Sequence, residues 1–169
     1  MLKAALRGAV GVVSDLHWQN SVMSLSIRQQ PELRSAYRAF RAISTRWSDN
    51  DIYGHVNNVV FYSWFDTAIN GFLIDSGALD INLGAVIGLV VETQCLYFAP
   101  LGFPGVVQVG IRLAYTGSAS VRYELAIFPE DPTQHCAAKG HFTHVYVDRL
   151  TRRPVALPPE LIRSLETLK

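Results

Sequence analysis

The sequence predicts a mixed α+β domain in which a curved antiparallel sheet packs on one long helix. Apolar residues with helical spacing begin near residue 57, whereas the segments after residue 86 alternate with a period of two. Short turns that contain glycine or proline separate these segments. At 169 residues and 49% hydrophobic composition, the chain suits one buried core better than two domains.

The N-terminal part of the chain is predicted to be an extension. Residues 1–22 share no pattern with the rest of the chain, and their apolar run is too short for a signal sequence because it stops at Asp15. Basic and less polar residues partly alternate over 37–46, which predicts the first strand. We therefore expect a poorly ordered extension over 1–36 and a single domain over 37–169.

The long helix is predicted from the spacing of its aromatic residues. It begins near Asn57 and ends near Gly77, a residue type that commonly follows the last helical turn. Its main apolar face consists of Phe61, Trp64, Phe65, Ala68 and Phe72. Further apolar residues lie around its circumference, so the helix is expected to be buried on several sides.

Four further strands are predicted after the helix, which makes about five in the sheet. The first covers 86–98 and is followed by a loop with two prolines and two glycines. The last covers 134–148, and a short helix is expected over 160–168. Between them, two alternating segments place their apolar residues on one face: Val107, Val109, Ile111, Leu113 and Tyr115, then Val121, Tyr123, Leu125 and Ile127.

Charge and cysteine content exclude several classes of function. Fifteen basic and fourteen acidic residues give a net charge of +1, and the absence of a basic stripe among aromatic residues argues against nucleic acid as a partner. The sequence contains no run of about 18 apolar residues, so no membrane span is expected. Cys95 and Cys136 lie in apolar segments and are interpreted as reduced thiols of a cytoplasmic protein.

The segment from Arg46 to Asn58 is the strongest candidate for a functional site. Two carboxylates, a glycine, a histidine and the pair Asn57-Asn58 lie at the start of the helix, where unpaired amides and the helix dipole favour developing negative charge. Such a site suits attack on a carbonyl group. The carboxylates and asparagines could instead be turn or helix caps, and His55 could be an acid or base or could hold the loop in place.

Four sequence motifs occur in order along the chain. They are Arg46-x-x-Asp49-x-Asp51-x-x-Gly54-His55-Val56-Asn57-Asn58, Tyr97-Phe98-Ala99-Pro100, Gly117-Ser118-Ala119-Ser120-Val121-Arg122-Tyr123-Glu124, and Val147-Asp148-Arg149-Leu150-Thr151-Arg152-Arg153-Pro154. Together they resemble hot-dog-fold acyl-CoA thioesterases of the 4-hydroxybenzoyl-CoA thioesterase type. The resemblance covers about residues 37–159 and implies the hot-dog fold, in which the sheet wraps around the central helix.

The resemblance also implies roles for individual residues. Asp51 matches the catalytic carboxylate, which acts in related enzymes as nucleophile or general base. The backbone N–H of Asn58 matches the oxyanion donor, and His55 completes the expected catalytic set. Glu92 is interpreted as a sheet-edge or ion-paired residue, although some relatives supply a catalytic glutamate from the partner subunit. The expected substrate-binding residues are Gly54, Val56, Asn57, Tyr62 and Phe65.

The expected partner is an acyl-CoA, with water as co-substrate and without metal or cofactor. His141 and His144 should lie on opposite faces of a strand, which argues against a shared ion. The resemblance implies a homodimer or homotetramer with the site between subunits. A non-catalytic acyl-CoA-binding domain and a hot-dog enoyl-CoA hydratase remain alternatives. Four basic residues are either a solvated patch or contacts for coenzyme A phosphates: Lys139, Arg149, Arg152 and Arg153.

Overall fold

The structure, a computed structural model, describes residues 30–130 and 135–169. Within these residues, no helix has the length and apolar character needed to cross a membrane. Short 3-10 turns occupy Arg34–Ala36 and Trp47–Asp49. The main elements are β1 (Ala39–Ser44), α1 (Asn58–Asp75), β2 (Val86–Tyr97), β3 (Val106–Thr116), β4 (Ser120–Pro129), β5 (Ala138–Asp148) and α2 (Pro159–Glu166).

The five strands form one antiparallel sheet in the order β1-β3-β4-β5-β2. Side chains of α1 pack against this sheet, and the main core cluster combines both elements. The predicted fold class is confirmed, since five antiparallel strands form one sheet and one main helix packs on it. Strand β2 lies at one edge and pairs only with β5 among the described strands.

Helix α1 starts and ends close to the predicted positions. The Asn57 side chain caps its first turn by accepting a hydrogen bond from the Val59 N–H at 3.1 Å. At the other end, Gly77 adopts a φ of +72°, which suits a glycine directly after a helix. The predicted apolar face is buried except for the half-buried Phe72, whereas Val59 is exposed, so burial does not extend around the whole circumference.

Buried and exposed side chains alternate along β3 and β4 largely as predicted. All four inward residues of β4, from Val121 to Ile127, are fully buried. Tyr115 of β3 is 62% exposed, contrary to the predicted pattern. The register between β3 and β4 shifts between Leu113 and Tyr115, and such a bulge moves the following side chain to the other face.

Residues 31–36, predicted to belong to the extension, pack near the start of β5. The Cys136 N–H donates to the Glu32 carbonyl oxygen at 3.0 Å, and Lys139 forms an ion pair with the Glu32 carboxylate at 3.0 Å. Burial alone would raise the pKa of Glu32, but Lys139 and Arg112 outweigh it and lower that pKa. Residues 1–29 of the predicted extension lie outside the described residues, as does Gln134 at the start of the last predicted strand.

Candidate active site

Asp49 anchors the loop that connects β1 to α1. Its carboxylate is 1% exposed and accepts hydrogen bonds from the Arg46 N–H at 2.7 Å and the Arg46 Nε–H at 2.9 Å. The Asp49 carbonyl oxygen also accepts a hydrogen bond from the Asn57 N–H at 2.8 Å. Because Asn57 caps α1, Asp49 connects the loop directly to the start of the helix. These contacts support the turn-capping interpretation of Asp49.

Asp51 presents its carboxylate near the surface, in a fixed orientation. One oxygen accepts a hydrogen bond from the Tyr53 N–H at 2.8 Å, and the other lies 3.3 Å from His55 Nδ1. The Asp51 N–H donates to the His55 carbonyl oxygen at 2.9 Å, which closes a tight turn. Gly54 has a φ of +86° in this turn, a conformation that favours glycine. The side chain of Asp51 is only 18% exposed and can still meet a ligand.

His55 contacts the Asp51 carboxylate rather than only the loop backbone. Its ring also stacks on Tyr53, with 6.2 Å between the ring centres. The half-exposed imidazole therefore lies within ion-pair distance of the Asp51 carboxylate through Nδ1. This arrangement orients the carboxylate and provides a group that can exchange protons.

The first turn of α1 supplies the second part of the site. By helix geometry, the Asn58 N–H has no acceptor within the helix. The Asn58 carbonyl oxygen accepts a hydrogen bond from the Tyr97 hydroxyl at 3.1 Å, and the Tyr97 ring packs edge-on against Phe61. Burial is the main cause that raises the pKa of Tyr97, so this hydroxyl remains a neutral donor.

These groups surround a cleft of about 350 Å³, which we call the loop cleft. Four of the predicted site residues line it: Asp51, His55, Val56 and Asn58. The remaining wall consists of Phe61 and residues 97–101. The cleft thus combines a carboxylate, a histidine and a helix N-terminus with apolar walls. This combination can activate a nucleophile and stabilise an oxyanion at a carbonyl carbon.

The other predicted site residues lie outside the lining of the loop cleft. Asn57 is the helix cap, and Gly54 forms the turn before it. Tyr62 is half-buried with its ring 6.4 Å from that of Phe142, and Phe65 is fully buried in the core beside the same ring. Their predicted part in substrate binding remains a prediction.

Residues 97–101 were not predicted as site residues. Residues 97–100 form one of the family-like motifs, which was the available signal. Their position beside Asp51 depends on a long-range contact, since the Val56 N–H donates to the Leu101 carbonyl oxygen at 2.7 Å. No local sequence pattern encodes that contact.

Glu92 and the two strand histidines lie apart from this cleft. Glu92 pairs with His141 at 3.2 Å, and the hydrogen bond from His141 is the main cause that lowers the pKa of Glu92. His144 packs among Tyr123, Phe142 and Tyr146 on the opposite face of β5. Within residues 30–130 and 135–169, no group of three or more histidine, cysteine or acidic residues could hold a metal ion.

Comparisons with known proteins identify the family and the fold of the chain. The family model described as thioesterase-like superfamily matches residues 45–165. The crystal structure of the PA5185 protein from Pseudomonas aeruginosa strain PAO1 is 53% identical, with a TM-score of 0.80 over 83% of this chain and 97% of that one. No curated protein matches the chain.

More distant solved structures share the fold. The PA2801 protein from Pseudomonas aeruginosa is 25% identical, with a TM-score of 0.70 over 76% of this chain and 98% of that one. A 1,4-dihydroxy-2-naphthoyl-CoA thioesterase from Synechocystis is 18% identical, with a TM-score of 0.66 over 75% of this chain and 93% of that one. At 18% identity, the similarity to the Synechocystis protein is a similarity of fold alone.

Proposed function

Because the chain belongs to the thioesterase-like superfamily, we propose that it hydrolyses an acyl-CoA to the free acid and coenzyme A. Within that superfamily, the 4-hydroxybenzoyl-CoA thioesterase-like type is the proposed group. The observation that carries the proposal is that the Asp51 carboxylate and the first turn of α1 at Asn58 line one cleft. A nucleophile or base thereby lies next to a donor for the developing oxyanion.

Asp51 can act in two ways. As a nucleophile, a carboxylate oxygen attacks the thioester carbon, the C–S bond breaks, coenzyme A leaves as its thiolate, and water hydrolyses the resulting anhydride. As a general base, Asp51 removes a proton from water while the water oxygen attacks the same carbon. In both routes His55 orients the carboxylate, since its Nδ1 lies 3.3 Å from it.

The backbone N–H of Asn58 is the proposed oxyanion donor. Negative charge on the thioester oxygen is favoured at a helix N-terminus by the unpaired amides and by the helix dipole. One such donor contributes about 3 kcal/mol to lowering a barrier of this type. The Tyr97 hydroxyl bonds the carbonyl of the same residue and so helps to fix the first helical turn.

The walls of the loop cleft support a thioester with an apolar acyl group. Val56, Phe61 and residues 98–101 provide apolar contacts beside the polar reacting groups. The Synechocystis neighbour is named for a CoA thioester substrate, which supports coenzyme A as the thiol. Cys95 and Cys136 are free, which fits the proposed cytoplasmic location.

A homodimer formed through β2 is proposed as the functional assembly. This strand spans twelve residues at the sheet edge, and the Val91 side chain is 60% exposed. A long apolar edge strand favours pairing with another strand, and a second copy of β2 offers a matching edge. Light scattering of the purified chain tests this proposal. A monomer at micromolar concentration would contradict it.

The decisive experiment measures free thiol release from a panel of acyl-CoAs. Asp51→Asn is compared with the unmodified chain and with Asp66→Asn, which removes an exposed carboxylate from the middle of α1. We expect turnover to fall about 10²- to 10⁴-fold in Asp51→Asn and to stay unchanged in Asp66→Asn. Unchanged melting temperatures would show that both variants fold.

Two outcomes would overturn the proposal. If the unmodified chain binds acyl-CoA but releases no thiol from any member of the panel, the protein is a non-catalytic binding domain. If Asp51→Asn keeps full activity, the catalytic carboxylate is a different residue. Addition of water to an enoyl-CoA without thiol release would instead indicate a hydratase.

A further inference from the structure

A second cavity lies at the opposite end of α1 from the loop cleft. It measures about 410 Å³, within the range of small-molecule sites, and we call it the helix-end cavity. Gly88 of β2 lines this cavity, whereas Tyr97 of the same strand lines the loop cleft. The two residues are about 30 Å apart along the strand. The lining also includes Leu73, Val86, His144, Tyr146 and Arg149.

Buried polar atoms without partners are concentrated in the residues that line this cavity. In the described part of the chain, the buried side-chain nitrogens and oxygens that lack a hydrogen bond are both ring nitrogens of His144 and Nε of Arg149. His144 is only 2% exposed. Each unsatisfied buried group costs about 1–3 kcal/mol, so three such atoms in two residues that line one cavity point to a missing partner.

The fold leaves room for the imidazole of His144 at this position. A Cβ atom on Gly88 would lie 3.0 Å from His144 Nδ1 and 3.3 Å from Tyr146 Cε1, which is closer than ordinary contact. The hydroxyl groups of Tyr123 and Tyr146 are 2.7 Å apart and hydrogen-bond each other. The aromatic neighbours therefore fix the ring of His144 without satisfying its nitrogens.

The number of unpaired donors and acceptors indicates the chemistry of the partner. Burial lowers the pKa of His144 to about 4, so at neutral pH the ring offers one N–H donor and one acceptor nitrogen. Arg149 adds its Nε–H as a second donor. Its two terminal nitrogens already donate to carbonyl oxygens of residues 80–82. A hydroxyl group both donates and accepts hydrogen bonds, so it can donate to the acceptor nitrogen of the ring and accept from the Arg149 Nε–H.

We propose that the helix-end cavity binds an apolar group that carries a hydroxyl, with the hydroxyl bonded by His144 and Arg149. The apolar lining from α1 and β2 accommodates the rest of the ligand. The hydroxylated group belongs either to the acyl part of a thioester or to a free small molecule. This proposal stands independently of the thioesterase proposal, because the two cavities share none of their lining residues.

A matched pair of probes tests the proposal by titration calorimetry on the whole chain. 2-Naphthol carries the hydroxyl, and 2-methylnaphthalene replaces it with a methyl group of similar size. We expect 2-naphthol to bind about tenfold more tightly to the unmodified chain. In His144→Phe this preference should disappear, whereas in Asp51→Asn, altered only in the loop cleft, it should remain. Equal affinity for both probes, no binding of either, or a preference retained in His144→Phe would overturn the proposal.

A second measurement needs only the unmodified chain and so does not depend on the folding of a variant. In a sample with ¹⁵N-labelled histidine, 2-naphthol should shift the ring-nitrogen resonances of His144 more than those of His55 or His141. An unchanged His144 resonance at saturating 2-naphthol would refute the site. Competitive inhibition of thioester hydrolysis by 2-naphthol that is lost in His144→Phe would assign the site to the acyl group. Unaffected hydrolysis would assign it to a free hydroxylated molecule.

Discussion

The two ends of α1 differ in how their polar groups are satisfied. At the N-terminal end, the Asp49, Asp51 and Asn57 side chains all have hydrogen-bond or ion-pair partners within the loop and the first helical turn. At the C-terminal end, His144 and Arg149 retain buried nitrogens without partners. A site that performs chemistry gains from groups fixed in advance, whereas a site that recognises a ligand leaves partners for the ligand to supply.

The largest expected effect is a loss of stability when the loop before α1 loses its anchor. Asp49→Ala removes two charge-assisted hydrogen bonds from Arg46 to a buried carboxylate and should lower the free energy of unfolding by about 2–4 kcal/mol. Urea denaturation measures this change, with Asp66→Ala as an exposed control expected to lose less than about 0.5 kcal/mol. Equal losses in both variants would show that Asp49 does not anchor the loop.

At the C-terminal end of α1, the contribution of His144 to the free energy of unfolding should depend on pH. His144 has a pKa of about 4 in the folded chain and about 6.5 when unfolded, so the unfolded state binds protons first. The fold therefore has its full stability above pH 6.5, where His144 is neutral in both states. As the pH falls toward 4, the free energy of unfolding decreases by up to about 3 kcal/mol.

His144→Phe should remove this part of the pH dependence. The difference in free energy of unfolding between the variant and the unmodified chain should therefore grow in favour of the variant as the pH falls from 6.5 to 4. Urea titrations at several pH values measure it. Parallel pH curves for the two proteins would mean that His144 does not titrate differently on folding.

A smaller effect is expected when the Asn57 cap at the start of α1 is removed. Asn57→Ala should lower the free energy of unfolding by about 1 kcal/mol, because the Val59 N–H loses its acceptor. Asn57→Ser retains a capping oxygen and should be nearly neutral. Thermal denaturation of both variants measures the difference, and equal destabilisation would argue against a capping role.

The smallest expected effect concerns the far wall of the loop cleft. Tyr97→Phe deletes one exposed hydrogen bond to the Asn58 carbonyl, which is worth about 0.5–1 kcal/mol. If that bond fixes the oxyanion donor, kcat should fall about two- to fivefold while KM stays unchanged. A change in KM alone would assign Tyr97 to substrate binding.

Much of the fold was predictable because its signals are local. The aromatic spacing of α1, its asparagine cap and its terminal glycine placed the helix within two residues of its observed ends, Asn58 and Asp75. The alternation of β4 likewise fixed its buried face. Tyr115 was placed wrongly because the bulge before it depends on pairing with β4, which the sequence of β3 does not contain.

The site was predictable only where its residues are contiguous. Asp51, His55, Val56 and Asn58 form one segment and line one cleft, as the loop motif suggested. The wall at residues 97–101 and the whole helix-end cavity bring together distant parts of the chain. The orphaned nitrogens of His144 in particular follow from tertiary packing and from the space at Gly88, which no spacing rule reveals.

Strand β2 lines both the helix-end cavity and the loop cleft. Its first residues line the helix-end cavity, its last residue lines the loop cleft, and between them its register against β5 shifts between Val90 and Glu92. The strand therefore contributes lining residues to both cavities, one set on each side of this irregularity. By thermodynamic reciprocity, a ligand in one cavity that changes affinity in the other must have its own affinity changed by the same factor.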